Sequence, residues 1–127
     1  MFKEKEFDPL SHSVIGAAIE VHRVLGPGFL ESVYEEALCI ELKTRNIVCA
    51  QQQVITVAYK GQPIGEGRLD VLVDNRLIVE LKAVETLLPI HSAQLISYLK
   101  TTGYPVGLLI NFNVPVLKQG VKRLVLA

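Results

Sequence analysis

Three charged residues occupy positions where a sandwiched strand would carry Ile or Val: Asp70, Glu80 and Lys82, all within RLDVLVDNRLIVELK, Arg68 to Lys82. The stretch reads as two strands joined by a short polar turn, because Val, Leu and Ile alternate with other residues on both sides of Asp74-Asn75. A period of two places Ile78, Glu80, Lys82 and Val84 on one face of the second strand, and Leu77, Val79, Leu81 and Ala83 on the other. In the first strand it groups Arg68, Asp70, Leu72 and Asp74 against Leu69, Val71 and Val73. The turn then decides whether the acids meet. A two-residue loop pairs Asp70 with Val79, whereas a three-residue loop, Asp74-Asn75-Arg76, pairs Asp70 with Glu80. The longer loop is expected, because it gives both strands one unbroken apolar face: Leu69, Val71 and Val73 with Leu77, Val79 and Leu81.

Two carboxylates about 4 Å apart repel by roughly 4 kcal/mol at an effective dielectric near 20, so both stay ionised on a half-buried sheet only beside cations. Lys82 is one such cation. Glu31, in the first turn of the second expected helix, adds a third acid if it is directed there. A hard divalent ion with oxygen ligands, Mg²⁺ or Mn²⁺, is the natural complement of such a cluster. The same spacing also fits a solvated polar face on which Lys82 bridges the acids.

The elements that would position these residues follow from period and punctuation. Asp8-Pro9 and Ser11 offer helix-start chemistry, and Val14, Ala17, Ala18, Val21 and Leu25 recur at helical spacing until Gly26-Pro27-Gly28. A second helix begins near Phe29 and ends at Asn46, with Leu30, Val33, Ala37, Ile40 and Leu42 on its apolar face. Val54 to Lys60 alternates as a strand, and Gly61-Gln62-Pro63 turns the chain into the next one. Pro89 opens a third helix that stops at Gly103, and Val106 to Phe112 is an apolar run suited to a strand covered on both faces. Lys122 to Leu126 is expected as an edge strand. This order predicts an α/β fold with a mixed β-sheet flanked by helices, since a helical connection before Val106 suits a parallel crossover.

Composition bounds what such a domain does. A chain of 127 residues suffices for one domain, 1–127, whose site is built from this core or shared between two copies as a homodimer. Thirteen Lys and Arg balance thirteen Asp and Glu, which removes the domain-wide basic excess usual for nucleic-acid binding and leaves only a local basic rim, from Lys60, Arg68, Lys100, Lys118, Lys122 and Arg123. Cys39 and Cys49 lack zinc-ligand spacing and read as reduced packing residues, which fits the cytoplasm. The N-terminal MFKEKEF alternates charges without a signal-like apolar run, and no apolar run approaches the ~20 residues that span a bilayer. No membrane partner is expected.

Asp70 followed ten residues later by Glu80-Leu81-Lys82 resembles the D…(D/E)xK signature of the PD-(D/E)XK nuclease superfamily. Gly28-Phe29-Leu30-Glu31-Ser32-Val33-Tyr34 matches Gly-x-x-Glu-x-x-Tyr, the pattern that names the small bacterial GxxExxY family grouped in that superfamily. Gln94-Leu95-Ile96-Ser97-Tyr98 resembles the Q-x-x-x-Y helix motif of its exonuclease-like branches. The resemblance runs from about Val14 to Leu126, and departs from the pattern in having Leu69 rather than proline before Asp70.

The resemblance implies a PD-(D/E)XK nuclease-like, restriction-endonuclease-like core and a metal-dependent nuclease acting on DNA. It implies that Asp70, Glu80 and the Leu81 carbonyl ligate Mg²⁺ or Mn²⁺, that Glu31 completes the acidic shell, and that Lys82 holds the attacking water and stabilises charge on the phosphate. Gln94, Tyr98 and Tyr34 would contact substrate. Read without the family, Glu31 complements a helix dipole, Tyr34 is a core-edge aromatic with its hydroxyl in water, His91 caps its helix, and Gln94 and Tyr98 are helix surface. A catalytically silent nucleic-acid- or protein-binding module on the same fold fits the neutral charge, as does a hydrolase of a small phosphorylated molecule.

Overall fold

Val, Leu and Ile at alternate positions, closed by residues that tolerate left-handed backbone, build the sheet around which everything else packs. The computed structural model describes residues 8–126; the charged N-terminal stretch lies outside them. Strands β1 (Cys49–Tyr59), β2 (Gln62–Val73), β3 (Leu77–Lys82), β4 (Val106–Asn111) and β5 (Val121–Val125) lie side by side in chain order. Neighbours run antiparallel except β3 and β4, which are parallel. The helix α3 (Pro89–Thr102) makes that parallel crossover, as its place between the two strands predicts. Helices α1 (Pro9–Leu25) and α2 (Glu31–Thr44) precede the sheet.

Each helix begins and ends where local chemistry dictates. Asp8 caps α1, its carboxylate accepting from the Leu10 N–H at 3.1 Å and from the Ser11 hydroxyl at 2.7 Å, with Pro9 in the first turn. Gly26, at φ +71°, ends it, a conformation that costs a side-chain-bearing residue energy. Gly103 closes α3 in left-handed helical backbone at φ +81°.

Two apolar clusters clamp the sheet. Val14, Ala17, Ala18 and Val21 of α1 and Leu38 and Leu42 of α2 pack with Val71, Val73, Leu77, Val79, Leu81, Leu108 and Ile110 on one side. Leu95 and Leu99 of α3 pack with Leu69, Leu72, Ile78 and Leu109 on the other. β4, apolar up to its last residue Asn111, is buried on both faces, as its continuous run predicts.

Differences from the sequence reading have local causes. β1 starts at Cys49 rather than Val54, because Gln51 and Gln53 pair with β2 although a polar run carries no apolar alternation. α2 begins at Glu31, leaving Phe29 and Leu30 exposed before it. A 3₁₀ turn, Leu117–Gly120, was not foreseen, and its Gly120 lies so close to the Asn111 carbonyl that an added Cβ would collide with it.

Candidate functional site

The β2–β3 turn settles the parity question. The register Val71 to Val79, Leu72 to Ile78 and Val73 to Leu77 leaves Asp74, Asn75 and Arg76 as a three-residue loop. Asp74 and Asn75 take left-handed backbone, φ +51° and +58°, which short polar side chains tolerate best after glycine. Carried one residue further, that register sets Asp70 against Glu80.

There the ladder opens, and side chains replace backbone pairing. The Asp70 N–H donates to Glu80 Oε2 at 3.2 Å, and the Leu81 N–H donates to Asp70 Oδ2 at 2.8 Å. Each acid thus engages one oxygen with the opposite strand. The unbroken apolar face expected for both strands is a correction: Leu69 packs with Leu72 under α3, not with Val71 and Val73 under α1 and α2. Leu69 and Leu72 share a cluster only if the two-residue period slips between them. The slip coincides with Gln52, opposite Asp70 in β1, which takes left-handed backbone at φ +52°.

Around this fork stand the other charges. Glu31 approaches it from the N-terminus of α2, beside Ala83 and Lys82. Lys82 is the cation that acts on all three acids, Glu31, Asp70 and Glu80. Burial, then the charge of Asp70, pushes Glu80 up to about 8, and Glu80 is only 5% exposed. Burial likewise raises Asp70 and Glu31 above their ordinary values, with the Leu81 N–H and the Lys82 charge respectively opposing it. Three acids against one lysine leave more negative charge than the site compensates.

The donor set suits a hard cation. Two crowded carboxylates and a strand carbonyl are oxygen ligands of the kind Mg²⁺ takes while keeping several waters. Among the described residues, no group of three or more His, Cys, Asp or Glu is placed so that it could hold a metal ion by itself.

The remaining expected residues separate. Gln94 Nε2 donates to Tyr98 Oη at 3.4 Å on the exposed side of α3, and the Tyr98 ring rests against Gly67, three residues before Asp70, where a Cβ would come within 2.9 Å of Cε1. Tyr34 is wholly buried: its ring stacks on Phe112 with centroids 4.5 Å apart, and its hydroxyl donates to the Gly26 carbonyl at 2.6 Å and accepts from the Phe29 N–H at 3.1 Å. The hydroxyl is not in water, as the core-edge reading had it; it fastens the turn that presents Glu31. His91 caps α3, its Nδ1 accepting from the Leu88 N–H at 3.0 Å.

Two contributors escaped the sequence reading. Glu35, one turn after Glu31, adds negative charge beside Asp70 and Glu31; the i,i+4 spacing was the available signal. Asn111, 2% exposed, accepts from the Val84 and Asn113 N–H groups and donates to the Val84 carbonyl at 2.8 Å, pinning the chain beyond Lys82 to β4. A polar residue ending a run of Leu and Ile was its only trace.

No helix among the described residues is long and apolar enough to cross a membrane. No curated protein and no solved structure matches the chain. A family model described as the PD-(D/E)XK nuclease superfamily matches residues 8–124, nearly all of the sequence and every residue of the fork. An acid pair at an opened strand junction, a lysine two residues on, and this match together place the chain in the PD-(D/E)XK nuclease superfamily, to which it belongs.

Proposed function

We propose that the protein is a metal-dependent nuclease that hydrolyses phosphodiester bonds of DNA. The observation that supports it is the meeting of Glu31, Asp70, Glu80 and Lys82 at the β2–β3 fork. Asp70, Glu80 and the Leu81 carbonyl would hold Mg²⁺ or Mn²⁺, with Glu31 completing the acidic shell. The ion, when bound, supplies charge neutralisation at the phosphate and a lowered water pKa.

The chain's own residues do the rest. Glu80 must release its proton to act as a ligand. Lys82, with three N–H donors and no acceptor, does not compete for the cation; its ammonium orients the attacking water and stabilises charge developing on the phosphate. Gln94 and Tyr98 orient the substrate from α3, and Asn111 keeps the segment after Lys82 in place.

Melting curves with and without Mn²⁺ test this reading, because a ligand selective for the folded state raises its stability by mass action. Wild type should be stabilised and Asp70→Asn should not. An equal shift in both proteins would put the ion elsewhere and remove the reading. A silent binding module on the same fold is favoured by the zero formal net charge. It predicts capture of DNA or protein without cleavage, and DNA cleavage by wild type but not by Asp70→Asn would exclude it.

A further inference from the structure

The β1–β2 hairpin runs on past the rest of the sheet. β3 pairs with β2 from Val71 to Val73, so from Asp70 out to Gln62 the strand β2 is partnered by β1 and not by β3. Lys60 and Gly61 close the hairpin at φ +50° and +80°, the left-handed pair of a tight two-residue turn. The base of this arm is braced: Ile55 packs with the Leu95 and Leu99 cluster, and Gly67 lies against the Tyr98 ring. Beyond the brace most side chains are exposed, among them Tyr59 at 61%, Ile64 at 66% and Val54 at 47%. A two-stranded ribbon is barely stable by itself, and apolar side chains displayed along one point to a partner.

The chemistry of the arm selects that partner. Between Val54 and Arg68 the charged residues are Lys60, Glu66 and Arg68, a basic excess in a chain whose charges balance as a whole. The Lys60 ammonium stands 5.4 Å from the Tyr59 ring centroid, so the tip offers a flat aromatic and a cation together. A second copy of the chain would add to the β1 edge through backbone hydrogen bonds. That edge is interrupted twice, by the register shift between Val57 and Ala58 and by the left-handed backbone of Gln52, and such irregularities turn an edge away from strand addition. A nucleic-acid duplex needs no strand edge, because its major groove, about 12 Å wide, admits a two-stranded β-ribbon. At about 3.3 Å per residue the end of β2 at Gln62 lies roughly 25 Å along the strand from Asp70. That reach is less than one turn of duplex, about 34 Å.

We propose that the β1–β2 arm is a duplex-DNA-binding ribbon, which enters the groove beside the phosphodiester held at the fork, Tyr59 and Ile64 meeting base edges and sugars and Lys60 and Arg68 meeting phosphates. The inference rests on the nuclease reading for the phosphodiester at the fork, but not for the arm's hold on the duplex.

Anisotropy of a labelled duplex of about 20 base pairs, measured with Asp70→Asn protein so that the DNA stays intact, tests it. Lys60→Asn on that background keeps the turn, since asparagine tolerates left-handed backbone, and removes one cation. The slope of log affinity against log salt should become shallower by about one. Tyr59→Ala should weaken duplex binding about tenfold. Both variants should melt like their parent, because the altered side chains are exposed. Unchanged affinity and salt slope in the two variants overturns the proposal. An equal loss on single-stranded DNA of the same length also overturns it, as does a dimer in sedimentation that Tyr59→Ala dissolves. Duplex binding that depends on Tyr59 and Lys60, in a protein whose wild type cleaves no DNA with Mn²⁺, upholds the ribbon and removes the nuclease reading instead.

Discussion

β2 and β3 are joined in two different ways along their length. At the turn end, Val71 to Val73 pair with Leu77 to Val79 through backbone hydrogen bonds, and every side chain there is buried among apolar neighbours. At the other end the strands are linked by acid side chains reaching backbone N–H groups, amid charges that repel one another. The first end is stabilised by what it excludes from water. The second is held open against its own electrostatics, which a cation or a proton relieves. The two ends of one strand pair therefore respond to different perturbations.

Leu77→Ala should have the largest effect. Leu77 is 1% exposed at the ladder end, and truncating such a leucine costs roughly 2–5 kcal/mol. Denaturant titration should record that loss, while the protein still folded in mild buffer keeps its Mn²⁺ response. Lys82→Ala should do the reverse, five residues along the same strand. Removing one preorganised charge costs on the order of 10²–10³ in rate, so cleavage should nearly vanish in a gel assay while melting stays close to wild type and Mn²⁺ still binds.

A pH titration sharpens the contrast. Between the ordinary glutamate value of 4.5 and about 8, the folded chain holds a proton on Glu80 that the unfolded chain releases. Stability of the metal-free protein is therefore greatest below that window, falls as pH rises through it, and levels off above it, by on the order of a few kcal/mol. Glu80→Gln should flatten most of the slope of melting temperature against pH, whereas Leu77→Ala should lower the whole curve without changing its shape. An unchanged slope in Glu80→Gln would show that the fork does not hold that proton.

The smallest effect concerns the turn before α2. Tyr34→Phe leaves the ring stack on Phe112 and removes two hydrogen bonds, to Gly26 and from Phe29. It should cost about 1 kcal/mol, and any fall in cleavage should match a displaced Glu31 rather than a lost substrate contact. A weaker KM with unchanged stability would assign Tyr34 to the substrate instead.

Local order in the chain determined much of this protein. Helix caps at Asp8 and Gly103, the period-two runs of β2 and β3, the apolar run of β4 and the three-residue turn at Asp74 are all short-range chemistry, written in neighbouring residues. Asp70, Glu80 and Lys82 could be placed together because they lie within one hairpin, and a hairpin's register is fixed by its turn. Glu31 was legible as a candidate third acid from its place in a first helical turn and from its motif, but its direction was not. Its approach to Ala83 crosses the sheet from another element, and no period in the sequence encodes that distance.

Only the tertiary structure decided the rest. Gln52 reads as one of three identical glutamines, and nothing in that run marks the one whose backbone turns left-handed. Leu69 alternates perfectly with Val71 on paper, yet packs under α3, because the slip at Asp70 is shared by both paired strands. The burial that lifts Glu80 to about 8 likewise comes from chain distant in sequence, since desolvation depends on everything that covers a group and not on its neighbours along the backbone.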